Sequence, residues 1–489
     1  MVNTSQKKSL KLNAALNGLQ SILNLIFPLI TFPYISRVLS VRGVGIYNFS
    51  SIYVGYFILI AGLGINTYAV REGAKYRDNI HKISIFARQI FSINIYSTLI
   101  AYLLLIVSLL LFKNLRNYAV CITIFSLQII FTTLGTNWLY VIYEDYAYIT
   151  IRNIIFKIIS IILLFAFVKK NSDYLIYAGI TVFSSVGSNI FNYIHAKSFI
   201  RLKLTFKMNL RYHLKPILVI FASVMSVSIY LYADNTILGL IKGNYAVGLY
   251  SVSTKIYKMS EDILSAILTV TIPRLSMLYG KRLLKEYNKL LSRLFNLLLL
   301  LSLPAVTGLI MLNKNIVVLV AGNKYISSAT SLAIISWAII FSLFNWIFSD
   351  CVLLPAKREN ELLVTTVTTA IINIVINLLT IPIWSYNAAA LSTVVSECLA
   401  MLMNAYYGKD ILFNSKLYKF AIKNFFEAVV GCFAIVLVCL VIKFLVNSLI
   451  MCLLISVLLS IIVYFLVLKL LNNSLVNEYF EKTLAIFHV

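Results

Sequence analysis

Ser84–Phe112 reads SIFARQIFSINIYSTLIAYLLLIVSLLLF, and beyond Arg88 it contains no charged residue. A helix rises 1.5 Å per residue, so ~20 apolar residues cross the ~30 Å hydrocarbon core of a bilayer. This stretch is long enough to do so with residues to spare. Working outward from it, the same reading places comparable segments at approximately 13–36, 44–66, 118–142, 149–168, 172–196, 215–240, 245–270, 293–313, 327–350, 360–382, 385–408, 422–445 and 447–468. The chain is therefore expected to be an all-α polytopic membrane protein with about fourteen transmembrane helices, and transport is the function class this favours.

The chain has 42 Lys and Arg against 17 Asp and Glu, a formal net charge of +25. Taken alone, that balance suggests a nucleic-acid partner; the distribution argues otherwise. With a cytoplasmic N-terminus, thirty of the basic residues fall in inside loops and ten outside, leaving Lys255 and Lys258 within a segment. Such a bias is what the positive-inside rule predicts, so both termini are expected in the cytoplasm. Dispersed basic loops meet anionic lipid headgroups at ~1 kcal/mol each, and no nucleic-acid partner is expected.

The first segment exceeds a signal-peptide core in length, carries Pro28 and Pro33, and lacks an obvious small-residue cleavage site, so it is expected to remain as the first helix. Cys121, Cys351, Cys398, Cys432, Cys439 and Cys452 all lie in apolar segments without metal-ligand spacing and read as small hydrophobes. His81, His195, His213 and His488 lie at segment ends or in loops and read as solvated, with no metal site. No connecting gap would hold a soluble domain, and no G-x-x-x-x-G-K-[ST] phosphate loop is present. Neither an ATPase nor any other enzyme is expected.

A faint repeat organises the segments. Val44-Gly45-Ile46-Tyr47 returns as Val247-Gly248-Leu249-Tyr250 at an offset of 203, which also carries Ser50 to Ser253 and Arg71 to Arg274. Asn137-Trp138 returns as Asn345-Trp346 at 208. Equivalent residues lie six spans apart, an even number, so the halves share one orientation: two pseudo-symmetric six-helix lobes plus two C-terminal helices. Parallel repeats of this kind place a substrate path between halves that rock. The expected divisions are an N-terminal lobe over 1–200, a C-terminal lobe over 201–410, and two additional helices with a cytoplasmic tail over 411–489. Gly43, Gly45, Gly243 and Gly248 mark tight turns where helices approach closely.

Charge inside a membrane costs ~2.5–3.5 kcal/mol at a helix centre on insertion scales, so residues that keep it are functional candidates. Lys255 lies about eleven residues past the turn at Gly243-Asn244, and Asp234 lies at nearly the same depth before it. They read either as a structural ion pair or as the lining of a wet cavity in which Lys255 meets an anionic substrate. Lys258, with Glu261 and Asp262 three and four residues on, reads as a local pair. Glu144 and Asp145 stand near Arg152 and Lys157, while Asp350 and Glu397 sit at or within the tenth and twelfth segments. Glu144, Asp350 and Glu397 are candidates for proton or Na⁺ coupling, or for satisfying basic neighbours. Arg37 and Arg42 flank the first outer turn, where they either snorkel or attract phosphate.

In four stretches the chain resembles polysaccharide flippases of the Wzx type, in the multidrug/oligosaccharidyl-lipid/polysaccharide exporter superfamily. They are Pro28-Leu-Ile-Thr-Phe-Pro33-Tyr34-Ile-Ser-Arg37 into Gly43-Val-Gly45-Ile-Tyr47; Leu63-Gly64-Ile-Asn66 with Arg71-Glu72 and Arg77-Asp78; Asn137-Trp138 through Glu144-Asp145-Tyr146 to Arg152-Asn153; and Asp234-Asn235-Thr236 with Val247-Gly248-Leu-Tyr250. The resemblance covers roughly residues 10–410 and is stronger in the first half. It implies two six-helix lobes in a V shape with a cationic central cavity. It also implies export of undecaprenyl-pyrophosphate-linked oligosaccharide from the inner to the outer leaflet of the bacterial cytoplasmic membrane. Glycosyltransferases and a polysaccharide polymerase would act beside it in capsule, exopolysaccharide or O-antigen assembly. Arg37, Arg152, Asp234 and Lys255 are the substrate-binding candidates on this reading. No cofactor is expected beyond a coupling ion, Na⁺ or H⁺, and consumption of the flipped product is an alternative driving force. An ion-coupled multidrug extruder and a lipid II flippase of the same superfamily are the rival readings; the first would want an acidic or aromatic-apolar cavity.

Overall fold

A computed structural model describes residues 27–200, 202–414 and 417–478, and every regular element in that set is helical. Twelve of its helices are long and apolar enough to cross a membrane. Two further expected segments account for the difference from fourteen. Of the first, 13–36, only the helix at 27–38 is described; residues 13–26 and both termini, including Lys7, Lys8, Lys11, Lys482 and His488, lie outside the described residues, as do Arg201 and Lys416. The seventh, 215–240, forms the first part of a long kinked helix, Leu210–Gly280. The kink is at Gly243, with φ 77° and ψ −171°, where the sequence places a turn. A side chain there would meet no neighbouring atom, so the left-handed φ alone selects glycine.

Large side chains on these helices remain bare of protein, among them Leu110 at 75% and Phe444 at 88% exposure, as surfaces that face acyl chains must. Polar side chains within the helices turn back on the backbone: Thr31 donates to the Phe27 carbonyl and Ser36 to that of Phe32, both at 2.8 Å. With no water in the bilayer core, such bonds satisfy groups that would otherwise cost several kcal/mol each.

The chain divides into two compact units, Met1–Gly248 and Leu249–Val489. The internal repeat is visible as matching hydrogen bonds inside each. In the first, the Tyr47 hydroxyl lies 3.1 Å from Thr181 Oγ1; in the second, that of Tyr250 lies 3.2 Å from Thr393 Oγ1. Asn192 donates to Asn137 Oδ1 at 2.8 Å, and Asn404 donates to Asn345 Oδ1 at 2.7 Å. Both repeated motifs therefore bond to equivalent positions on the sixth helix of their own half, Tyr174–Val186 with Asn189–Phe199 and Tyr386–Tyr407. Coincidental likeness of four-residue strings would not reproduce these partners.

The glycines of the repeated motif serve close packing. A Cβ on Gly45 would fall 1.8 Å from the Asn244 carbonyl oxygen, and one on Gly248 would fall 2.1 Å from that of Val41. Helix Val41–Gly62 and the turn that follows Gly243 thus touch backbone to backbone, a small-residue crossing typical of membrane helices.

Of the two C-terminal helices, Leu417–Leu445 packs on Leu284–Met311 and Leu449–Leu470 packs on Leu417–Leu445, within the second unit. Tyr464 donates to the Leu300 carbonyl at 2.7 Å, and Leu300, Ala428, Ile435, Leu453 and Leu468 share one buried cluster. Asn424 donates to Asn296 at 2.6 Å and accepts from Asn473 at 2.8 Å, which fixes the register of the pair.

Between the spans, Arg358 forms a two-pronged bond with Asp410, at 2.8 and 2.6 Å. The guanidinium holding it keeps the Asp410 carboxyl below the usual carboxylate range. Because both partners are partly exposed, Asp410→Asn is expected to cost only about 0.5–1 kcal/mol near neutral pH. A depressed folded-state pKa gives stability that is complete above the unfolded value near ~4 and is lost as pH falls through the folded one. Thermal unfolding of the two proteins should therefore differ at pH 7 and converge in acid.

Candidate functional site

The second part of the kinked helix carries a polar stripe. Ser251, Lys255, Lys258 and Asp262 follow at intervals of four, three and four residues, so they share one face. Lys258 bonds Glu261 at 2.7 Å and Asp262 at 3.3 Å, the local pair the spacing predicts. Lys255 is exposed, and no ion pair reaches it among the described residues. It lies roughly 16 Å along the helix from Asn244. An ammonium at that depth with no ion-pair partner is stable only against water or polar groups, because acyl chains would leave the charge unsolvated.

Arg37 is exposed in the last turn of the helix at 27–38, and Arg42 is exposed in the first turn of the next. Neither arginine nor Lys255 is sealed in dry packing. Asp234 is 8% exposed, nine residues before Gly243. It belongs to the first unit and Lys255 to the second.

The acids divide differently from what their spacing suggests. Glu144 has φ 55° and reaches across to Arg77 at 2.8 Å, on the surface, instead of toward Arg152. Asp350 sits on a π-helical turn, Ile347–Leu353, where it accepts from the Trp346 indole and from Ser349 at 3.2 Å. The wider turn carries Asp350 onto the side of Trp346, four residues earlier, and such bulges recur at functional sites. Glu397 accepts a long bond, 3.5 Å, from Asn345, whose carboxamide oxygen is taken by Asn404. Tyr257 donates to Glu261 at 3.4 Å in the same unit. This Asn345, Asn404, Glu397 grouping is not legible in the sequence from any one residue; its only signal is the spacing of Thr393 and Asn404, which matches that of Thr181 and Asn192.

Arg152 is 8% exposed. Its Nη2 donates to Asn153 at 3.1 Å and the guanidinium lies 5.9 Å from the Tyr148 ring centre, while Nε and Nη1 have no hydrogen-bond partner. His213 departs from the solvated reading: it is 2% exposed, 2.8 Å from the Tyr68 hydroxyl through Nδ1 and 3.0 Å from Gln89 Oε1 through Nε2. The reason is that the kinked helix starts at Leu210, ahead of the expected segment, and its first turn packs onto the core of Tyr68, Phe86 and Trp138. Four cysteines are buried and two half-buried, and all six are free thiols.

A family model described as "Polysaccharide biosynthesis protein" matches residues 10–279. The curated relatives include a "Putative O-antigen transporter" of Escherichia coli (strain K12), 29% identical over 282 residues, covering 56% of this chain and 66% of that relative. Another protein of the same name, from Shigella dysenteriae, is 24% identical over 345 residues, covering 69% of this chain and 85% of its own length. Among solved structures, the lipid II flippase MurJ in an inward closed conformation matches with a TM-score of 0.77 at 16% identity, over 95% of this chain and 99% of that one. An inward-facing multidrug resistance MATE family transporter of the MOP superfamily matches at 0.58 and 14% identity, over 80% and 99%. At such identities the likeness is one of fold, and it is the fold that the sequence resemblance implies.

Proposed function

Because the chain belongs to the polysaccharide biosynthesis protein family, we propose that it is a flippase carrying polyprenyl-diphosphate-linked oligosaccharide repeat units from the inner to the outer leaflet of a bacterial cytoplasmic membrane. The observation that carries this reading is the polar stripe on the kinked helix, with Lys255 exposed and unpaired at its centre. A diphosphate and a sugar chain do not cross hydrocarbon unaided, since unpaired charge and hydroxyls lose their water. Charge-assisted bonds to an ammonium or guanidinium replace part of that hydration. Lys255 and Arg37 are assigned this role, with Arg152 and Asp234 as further substrate contacts, while the prenyl tail stays in lipid. Glu144, Asp350 and Glu397 remain the acids for coupling to Na⁺ or H⁺; of these, Asp350 and Glu397 are best placed, since Glu144 is spent on Arg77.

The direct test removes the chain from its own cell. Lipid-linked oligosaccharide should accumulate facing the cytoplasm, surface polysaccharide should disappear, and re-expression should restore both. Normal surface polysaccharide together with new sensitivity to cationic drugs would replace this reading with the multidrug one.

A further inference from the structure

A cleft of about 350 Å³ opens in the first unit between three elements: the short turn Ala74–Tyr76, the start of helix Ile80–Leu111 and the start of the kinked helix Leu210–Gly280. Its polar lining is Tyr76, Lys82, Gln89, Asn209, Tyr212 and His213. The part of helix Ile80–Leu111 that carries no charge, 89–111, is by itself long enough to cross the ~30 Å hydrocarbon core at about 1.5 Å per residue. Lys82 lies about two turns beyond that part, which puts the cleft at headgroup level.

The cleft is cationic, and its charge is accessible. Lys82, Asn209 and Tyr212 are exposed, and no ion pair reaches Lys82 among the described residues. No carboxylate lines the cleft among those residues. Glu72, whose charge is felt at Tyr212 and His213, is already held by Lys75 at 2.8 Å and Arg71 at 3.7 Å. Lys82 and Tyr212 are each the third residue of a helix, so two positive dipole ends border the same space. The floor is fixed by hydrogen bonds. Gln89 Oε1 can only accept, so His213 Nε2 donates to it at 3.0 Å, and in the neutral ring Nδ1 accepts from the Tyr68 hydroxyl at 2.8 Å. The Gln89 amide nitrogen donates to the Lys207 carbonyl at 3.2 Å, which ties the segment before Asn209 to helix Ile80–Leu111.

We propose that this cleft binds a lipid headgroup that carries both phosphate and hydroxyls, the phosphate meeting Lys82 and the hydroxyls meeting the amides of Asn209 and Gln89. The ammonium gives phosphate a charge-assisted bond, and no acid in the lining competes for it. The rings of Tyr76 and Tyr212 offer apolar faces to the carbon skeleton of a polyol and a polar tip to its hydroxyls. Two lipids bring that chemistry, phosphatidylglycerol and the sugar diphosphate of the prenyl-linked cargo. The second source rests on the function proposed above; the first does not.

The test uses the full-length purified protein in a detergent free of phosphate and sugar, with thermal unfolding and lipid adducts in native mass spectrometry as readouts. Phosphatidylglycerol, phosphatidylethanolamine and a short-chain prenyl-diphosphate-linked N-acetylglucosamine are titrated separately into wild type, Lys82→Ala and Lys285→Ala. The last is a charge-matched control, an exposed lysine of the second unit. Phosphatidylglycerol, the diphosphate or both should raise the wild-type unfolding temperature and form a retained adduct, and phosphatidylethanolamine, with an ammonium in place of hydroxyls, should do neither. Lys82→Ala should bind on the order of tenfold more weakly, as expected for a lost charge-assisted bond, while Lys285→Ala binds like wild type. Without lipid, Lys82→Ala should unfold at the wild-type temperature, because its side chain is exposed, and this shows that the variant folds. A response to phosphatidylglycerol alone identifies a structural lipid, and a response to the diphosphate alone identifies a docking site for cargo. The proposal is overturned by no response in wild type, by undiminished binding to Lys82→Ala, by an equal loss in Lys285→Ala, or by an equal response to phosphatidylethanolamine. Neither readout depends on export, so a failure here stays separate from a failure of the flippase reading.

Discussion

Lys255→Ala should abolish surface polysaccharide, with lipid-linked oligosaccharide accumulating on the cytoplasmic side while the protein inserts at its normal level. The expectation follows from where the residue stands. It is exposed on a polar stripe, well inside a membrane-spanning helix, and no ion pair among the described residues reaches it. A lysine kept charged at that depth carries a standing cost of ~2.5–3.5 kcal/mol, which packing alone does not repay. Removing it should therefore leave stability unchanged or higher. The loss should fall on the charge-assisted contact to the diphosphate, ~1.5–3 kcal/mol, or at least about tenfold in transport rate. Lys255→Arg retains the charge and should retain part of the activity. Lys258→Ala is the matched control, because that ammonium is already held by Glu261 and Asp262. Undiminished export by Lys255→Ala would reduce the residue to a structural role and remove the main support for an anionic cargo.

Gly45→Leu should prevent the fold from forming. The clash is with the Asn244 carbonyl at 1.8 Å and the Gly248 amide nitrogen at 3.0 Å, both backbone atoms, so no rotamer change relieves it. Helix Val41–Gly62 would have to move away from the turn that follows Gly243, breaking a backbone-to-backbone contact. Overpacking of this kind costs roughly 3 kcal/mol or more, a large share of the stability of most domains. Gly45→Ala should already be severe, and Gly248→Ala likewise, since its Cβ would meet the Val41 carbonyl. Gly62→Ala, on the same helix but with nothing near its Cβ, should be neutral or mildly stabilising. Monodispersity and unfolding temperature of the purified variants measure this directly. A monodisperse Gly45→Leu protein with wild-type stability would mean that the close crossing is not what these glycines are for.

The same pair of motifs shows how far the sequence could be read. Val44-Gly45-Ile46-Tyr47 and Val247-Gly248-Leu249-Tyr250 announce a duplication, and their glycines announce close approach. Their partners are not announced: Tyr47 reaches Thr181 and Tyr250 reaches Thr393 across more than a hundred residues of chain. The turn at Gly243 was legible because glycine is the residue that accepts a left-handed φ without strain, a property of one position. Glu144 was not, because the basic residues near it in sequence are Arg152 and Lys157, whereas its partner Arg77 is brought to it by the tertiary fold. His213 was misread for a related reason: where a helix begins depends on what its first turn can pack against, here Tyr68 and Gln89. Distance along a helix can be counted from the sequence, which is why Asp234 and Lys255 are each expected about ten residues from the turn at Gly243. Whether two residues at one level face each other depends on helix rotation, which counting does not supply.

Apolar run length, the kink glycine and the repeated motifs are local or periodic properties, so the amino-acid sequence alone determined a polytopic all-helical protein that carries a repeat. Packing decided the rest. It placed Gly45 against backbone, matched Asn345 with Asn404, gave Glu144 to Arg77 and buried Arg152 with two donors unpartnered. In a membrane the hydrophobic effect selects which segments are buried in lipid but hardly distinguishes one apolar helix neighbour from another. The choice among partners therefore falls to close contacts and buried polar bonds, and these exist only once the helices have met.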